Sequence, residues 1–377
     1  MKNIQMVDLR GQYERVRQEM DEAIRECIES TAFINGPQVR AFQEALGNYL
    51  GVKQVIPCAN GTDALQIAMM ALDLKPGDEV IVPCFTFVAT AEVIALLGLK
   101  PVMVDVDPET FNLTAAHVRA ALTPRTRAVV PVHLFGQCVD MEPLLNLARE
   151  HQLSVIEDAA QAIGADYTFS DGSVRKAGTM GTVGCTSFFP SKNLGCLGDG
   201  GALYTDNQEL ARKLQMIANH GQAERYYHQI VGVNSRLDSL QAAVLLVKLK
   251  RLDAYNESRR KAASFYTEAF QDIPGLTPPA RHPQSTHVFH QYTLQVAKNR
   301  DGLKKYLAEQ GIPSMVYYPV PLNRQEAYSR EGFQPEDFPV TEKLCQTVLS
   351  LPMHTELEPE QLEYITRHVL SFMQRGG

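Results

Sequence analysis

Between Glu44 and Asp206 the apolar positions of the chain fall into two alternating kinds of run. Short stretches rich in valine and isoleucine, at Glu79–Val82, Pro101–Val106, Arg127–Val132 and Leu153–Ile156, read as strands buried on both faces. Between them, Ala64–Leu72, Ala89–Leu97 and Met141–His151 carry apolar residues at helical spacing. Pro83 and Asp107-Pro108 close two of the strands, because proline cannot donate to a ladder. Strands that alternate with helices of roughly ten residues predict an α/β fold with a largely parallel sheet, covered on both faces.

Downstream the pattern changes. One long amphipathic helix is predicted from Leu237 towards Phe270, after which Pro274-Gly275 and Pro278-Pro279 interrupt the periodicity. Beyond His287, strand-like Gln291–Val296 mixes with helix-like Leu303–Gln310 and Glu360–Phe372. A chain of 377 residues exceeds one compact core. The expectation is therefore a large α/β domain over residues 1–247 and a smaller C-terminal α+β domain over 248–377.

Composition narrows the function classes. A formal net charge of −7 argues against a nucleic-acid partner and favours small-molecule work. Apolar stretches such as Ala91–Val104 are broken by Glu92 and Lys100, so no membrane span is expected. Met1–Arg10 lacks the apolar core of a signal peptide. The seven cysteines form no CxxC pair, which suits free thiols in the cytoplasm and no structural zinc.

Two segments carry the chemistry. In Ser154–Gln161 an apolar strand delivers Asp158 at its C-terminal end, where open α/β sheets place ligands; an acid there as readily caps the next helix. In Thr186–Gly195, Lys192 lies within aromatic, small and glycine residues, and Gly198-Asp199-Gly200-Gly201 follows. An amine desolvated by Phe188, Phe189 and Pro190 loses proton affinity and becomes a Schiff-base nucleophile. Lysine and carboxylate together fit pyridoxal 5'-phosphate (PLP), which needs an amine for its aldehyde and an acid for its ring nitrogen. Asn60-Gly61-Thr62 opens a helix whose N–H groups, with the Thr62 hydroxyl, would bind phosphate. Ser187 can add a second hydroxyl. Phe87, after a strand end, could stack on the ring or simply pack in the core.

These residues resemble the DegT/StrS-type sugar-nucleotide aminotransferases, of fold type I among PLP-dependent transferases. The resemblance runs from Val7-Asp8-Leu9 to Ser350–His354 and is most specific at Glu157–Gln161, Ser187–Gly201 and Gly232–Leu237. It implies that Lys192 forms the Schiff base, Asp158 pairs with the pyridinium and Gln161 lies by the ring or its hydroxyl. Thr62 and Ser187 would hold the phosphate, Phe87 would stack, and Asn234 would reach the phosphate of the partner subunit in a homodimer with composite sites.

Within the family the chain is similar to the 3-aminotransferases of UDP-2-acetamido-2-deoxy-3-keto-glucuronic acid. That similarity lies in Cys185–Lys192, His220-Gly221-Gln222 and Tyr318–Asn323, while Tyr317 stands where those relatives often carry histidine. It implies a UDP-sugar substrate, glutamate as donor, and a place in surface-polysaccharide synthesis. Substrate contacts would come from Arg236, the first choice of cation for the uronate, with Tyr317, Tyr318 and Asn323; the alternative is that Arg236 forms an ion pair between subunits. UDP-3-keto-GlcNAc or a dTDP-3-keto-6-deoxyhexose are alternatives.

Other readings are weaker. No G-x-G-x-x-G occurs in the first hundred residues, and Walker A and H-E-x-x-H motifs are absent. No metal is expected; His133, His220 and His354 read as structural or substrate contacts. Sugar dehydratases of the superfamily replace the lysine by histidine, and regulatory sensors tend to carry an added domain.

Overall fold

The computed structural model describes residues 3–375. Two helices come first, α1 (Leu9–Ser30) and α2 (Pro37–Leu50), which the pattern reading above leaves unassigned. The alternation then follows as β1 (Gln54–Cys58), α3 (Gly61–Ala71), β2 (Glu79–Pro83), α4 (Ala89–Leu96) and β3 (Lys100–Val104). It continues with α5 (Ala115–Ala120), β4 (Thr126–Val129), α6 (Met141–Glu150) and β5 (Ser154–Asp158). A small hairpin, β6 (Asp166–Thr168) and β7 (Val174–Lys176), precedes β8 (Val183–Ser187), β9 (Gly201–Thr205) and α7 (Gln208–Ala218).

Seven of these strands form one sheet in the order β1-β9-β8-β5-β4-β2-β3. Only β9 runs against its neighbours, so the sheet is mostly parallel, as expected for fold type I. Val80, Ile81 and Val82 of β2 are all buried, because helices cover both faces.

A second exposed hairpin, β10 (Gln222–Glu224) and β11 (Tyr227–His228), leads to α8 (Ser239–Leu249) and α9 (Leu252–Phe270). The single helix expected from Leu237 to Phe270 is thus two. Arg251 leaves helical geometry at φ −114° and ψ 0°, and its N–H closes a short turn onto the Lys248 carbonyl. The burial patterns differ on either side: α8 is enclosed over Ala242–Leu245 and again over Val247–Leu249, whereas α9 hides mainly one stripe.

The remaining chain builds a three-stranded antiparallel sheet from β12 (Leu276–Thr277), β13 (Tyr292–Val296) and β14 (Val348–Leu351). Helices α10 (Arg300–Glu309), α11 (Pro339–Thr347) and α12 (Pro359–Gln374) belong to this part. Tyr266, Phe270, Tyr292, Leu349 and Ile365 form its core, and Ile4 from the start of the chain is buried among them. The Met353 N–H donates to the Met6 carbonyl, at 3.2 Å. All seven cysteines are buried and free. No helix among the described residues is long and apolar enough to cross a membrane.

Glu157 of β5 is fully buried beside the equally buried His133, Oε2 to Nε2 at 2.8 Å. His133 Nδ1 accepts from the Val139 N–H, so Nε2 carries the hydrogen and donates to Glu157. The Gly178 and Met180 N–H groups, at 2.8 and 2.6 Å, and that of Gly181 also donate to this carboxylate. Four donors converge on one side chain. Glu157→Ala should strand them and destabilise the fold by about 3–5 kcal/mol, read as a lowered Tm in thermal unfolding; an unchanged Tm would refute the network's importance.

Candidate active site

Strands β1, β2, β5 and β8 point the same way, so their C-terminal ends share one edge of the sheet. Asp158 ends β5 there and is buried. Its Oδ2 accepts from the Thr90 hydroxyl at 2.9 Å, and Oδ1 from the Ala160 N–H at 3.2 Å. Thr90 is wholly enclosed on α4. Nothing in its local sequence marks it, because the pairing joins residues 68 apart.

Lys192 occupies a loop closed by the Cys196 N–H on the Phe188 carbonyl and by its own N–H on Phe189, at 2.7 and 2.8 Å. Burial lowers the Lys192 amine to about 8, opposed by the nearby Asp158 carboxylate, which raises it. The expected desolvation by Phe188 and Phe189 needs correction. Phe188 turns into the core against Phe42, with ring centroids 5.4 Å apart, and Phe189 is 52% exposed. Adjacent residues of an extended segment face opposite ways, so the two rings could not both enclose the amine.

Beside this loop the backbone is crowded. A Cβ on Gly61 would stand 2.7 Å from Ser187 Cβ, and one on Gly201 only 2.4 Å from the Asn60 carbonyl oxygen. Gly61 and Ser187 are thus in contact, with Thr62 next on α3. Asn60 caps α3 by accepting from the Asp63 N–H at 2.8 Å.

Gln161 is buried and committed at both ends. Its Oε1 accepts from the Phe135 N–H at 2.7 Å, and its Nε2 donates to the Tyr318 hydroxyl at 3.1 Å. Tyr318 lies with its ring centroid 6.3 Å from that of Phe87, which is 54% exposed at the mouth of the edge. Burial raises the pKa of both Tyr317 and Tyr318. Asn323 is buried, its Oδ1 accepting from the Cys84 thiol at 3.2 Å.

Asn234 is exposed and Arg236 half-buried. They flank Ser235, whose hydroxyl accepts from the Ala59 N–H at 3.0 Å, just before the Asn60–Thr62 turn. Ser235, given no role of its own in the sequence reading, therefore fixes this segment beside the N-terminus of α3.

The pattern of the DegT/DnrJ/EryC1/StrS aminotransferase family matches residues 14–370. The chain belongs to this family. It is 45% identical to a "pleiotropic regulatory protein" of Geobacillus stearothermophilus, over 98% of each chain. At 45% identity it also resembles the UDP-2-acetamido-2-deoxy-3-oxo-D-glucuronate aminotransferase of Pseudomonas aeruginosa, over 96% of this chain and 98% of that one. The UDP-N-acetyl-3-dehydro-alpha-D-glucosamine 3-aminotransferase of Acidithiobacillus ferrooxidans is equally similar, over 96% of each. A dTDP-3-amino-3,4,6-trideoxy-alpha-D-glucose transaminase of Streptomyces venezuelae is 39% identical, over 96% of this chain and 94% of that one. Among solved structures, DesV of S. venezuelae in complex with a ketimine intermediate matches with a TM-score of 0.95 at 38% identity, over 99% of each chain.

As a DegT/DnrJ/EryC1/StrS aminotransferase, the protein is a PLP-dependent sugar-nucleotide transaminase. The edge suits that cofactor. It holds an amine whose proton affinity burial lowers, a buried carboxylate, a glycine contact at a helix N-terminus, and a buried Thr86 hydroxyl with no protein partner among the described residues.

Only the neutral amine attacks an aldehyde, so the lowered Lys192 pKa has a sign that can be tested. The rate at which cofactor-free protein captures PLP should rise with pH and level off above about 8. An ordinary lysine would keep rising to about 10. Stopped-flow absorbance of the yellow complex checks this, and a rise continuing past pH 9 would contradict it.

Proposed function

We propose that the protein moves an amino group from glutamate to C3 of UDP-2-acetamido-2-deoxy-3-keto-D-glucuronic acid, in the cytoplasm, for surface-polysaccharide sugars such as those of lipopolysaccharide O-antigen. The observation that carries the chemistry is a half-buried Lys192, its amine pKa lowered by burial, within electrostatic reach of the buried Asp158 carboxylate. PLP supplies an electron sink for the carbanion formed at the donor's α-carbon.

The chain's own residues have separate tasks in this reading. Lys192 would hold the cofactor, and its Nζ would accept the proton leaving the donor's α-carbon, a transfer worth roughly 10²–10⁴-fold. Asp158, steadied by Thr90 and Ala160, would keep the ring nitrogen protonated. Gly61, Thr62 and Ser187 would bind the phosphate, Phe87 would stack on the ring, and Gln161, which donates to Tyr318, would lie by the ring or its hydroxyl. Because Tyr318 Oη accepts from Gln161, its hydrogen is free to donate towards substrate.

The uronate reading is supported by the relative from Pseudomonas aeruginosa, and the relative named for a glucosamine derivative is equally similar. The two substrate names differ in what C6 carries, a carboxylate or a hydroxymethyl. Arg236 is the cation we assign to the carboxylate. A hydrogen bond to a charged group contributes about 1.5–3 kcal/mol, so Arg236→Ala should lower kcat/KM for the uronate by about 10- to 150-fold. The 6-hydroxy sugar should lose far less. Parallel assays of the UDP-3-keto uronate, UDP-3-keto-GlcNAc and a dTDP-3-keto-6-deoxyhexose, with glutamate as donor, decide the substrate. A preference for the dTDP sugar would exclude the uronate reading.

A homodimer with composite sites is supported by the exposure of Asn234 and of Tyr226, Tyr227 and Val231 around the projecting hairpin. The Ser235–Ala59 bond favours a second reading, in which Asn234 serves the phosphate of its own chain. Mixing Asn234→Ala with Lys192→Ala subunits separates the two. Activity recovered in proven heterodimers supports the shared site; no recovery supports the single-chain site.

A further inference from the structure

Helix α8 stands behind the Lys192 loop and carries a residue that breaks the usual rule for lysine. Lys248 is 3% exposed, and among the described residues no carboxylate lies within ion-pair distance of its ammonium. Cys196 is the titratable group that acts on it, and burial pushes that thiol up to about 12, so it brings no negative charge at neutral pH. Burial lowers Lys248 itself to about 8. A buried cation without a counter-charge is costly to keep, so the contact it makes is informative.

That contact is with the loop. Lys248 Nζ donates to the Gly195 carbonyl at 2.7 Å. Gly195 is at a tight return, where a Cβ would stand 2.3 Å from the Pro190 carbonyl oxygen. Seven residues earlier on the same helix, Gln241 Oε1 accepts from the Leu197 N–H at 2.9 Å. The loop is therefore closed on itself at Phe188–Cys196 and pinned twice on its returning side by α8. The helix's interior N–H groups are spent on its own hydrogen bonds, so only a long side chain can reach the buried carbonyl.

We infer that Lys248 is a positioning residue which, by anchoring the Gly195 carbonyl, fixes the loop so that the Lys192 amine returns to one place after each displacement. The inference rests on Lys192 being the residue that attaches PLP.

The test compares holoenzyme of wild type, Lys248→Met and Lys248→Arg. Lys248→Met should bind PLP and stay yellow, with kcat lowered about 10-fold or more, the range for losing a hydrogen bond from a charged donor. KM for both substrates should stay within about 2-fold. The pH midpoint of the bound cofactor's absorbance should shift by about half a unit or more, and Lys248→Arg should recover part of each change. A wild-type kcat and midpoint with only a lowered Tm would overturn the inference and leave the cation a structural role. If Lys248→Met does not fold, Gln241→Leu replaces it. Changes in the same direction then support the pinning, and wild-type values overturn it. Borohydride labelling of wild type reports separately on the underlying assignment: label on a residue other than Lys192 removes the premise, whereas label on Lys192 with unchanged Lys248 variants removes only the inference.

Discussion

A carboxyl group at the end of a central strand has little water to bind, and much of this protein's architecture answers that shortage at Asp158. The Thr90 hydroxyl reaches one oxygen from α4 and the Ala160 N–H reaches the other from the turn beyond β5. The main chain of Asp158 is tied as firmly, its N–H to the Pro131 carbonyl at 2.9 Å and its carbonyl to the His133 N–H at 3.0 Å. Its neighbour Glu157 points to the opposite side, as alternation in a strand requires. There it draws a separate set of donors from His133 and the 178–181 turn. Two consecutive acids thus have different lives: one is saturated by protein, the other keeps capacity towards the sheet edge.

That edge also depends on small residues. Gly61, Ser187 and Gly201 let the N-terminus of α3 approach β8 and β9 closely enough that no side chain intervenes. The amides of a helix terminus can meet an anion only where the backbone itself comes near. Gln161 joins Tyr318 to the turn beyond β5, and the Phe135 N–H holds its other end.

The parts of the fold that could be read from sequence are those set by local pattern. Strands such as β2 and β5 announce themselves because burial on both faces demands unbroken apolar runs. The break between α8 and α9 does not, since no proline or glycine marks Lys250-Arg251 and only the burial pattern changes there. At the candidate site, Asp158 and Lys192 stand out because each is an unusual residue in its local setting. Thr90, Ser235, Gln241 and Lys248 do not, because their partners lie 68, 176, 44 and 53 residues away and each alone is an ordinary helix or turn residue. Phe189 shows the converse error, in which an aromatic run suggests enclosure without saying which ring faces inward.

The burial of Ile4 among Tyr292, Leu349 and Ile365 has a bearing on how the protein is made. Ile4 is translated well before the other walls of the core it belongs to. That core cannot close until those later walls have been translated, however early the large sheet assembles. Its apolar surfaces, including the inner faces of β13 and α9, stay open until residues near 365 emerge. The time between those events is set by the rate of translation, so crowding by other nascent chains would bear most heavily on this C-terminal half.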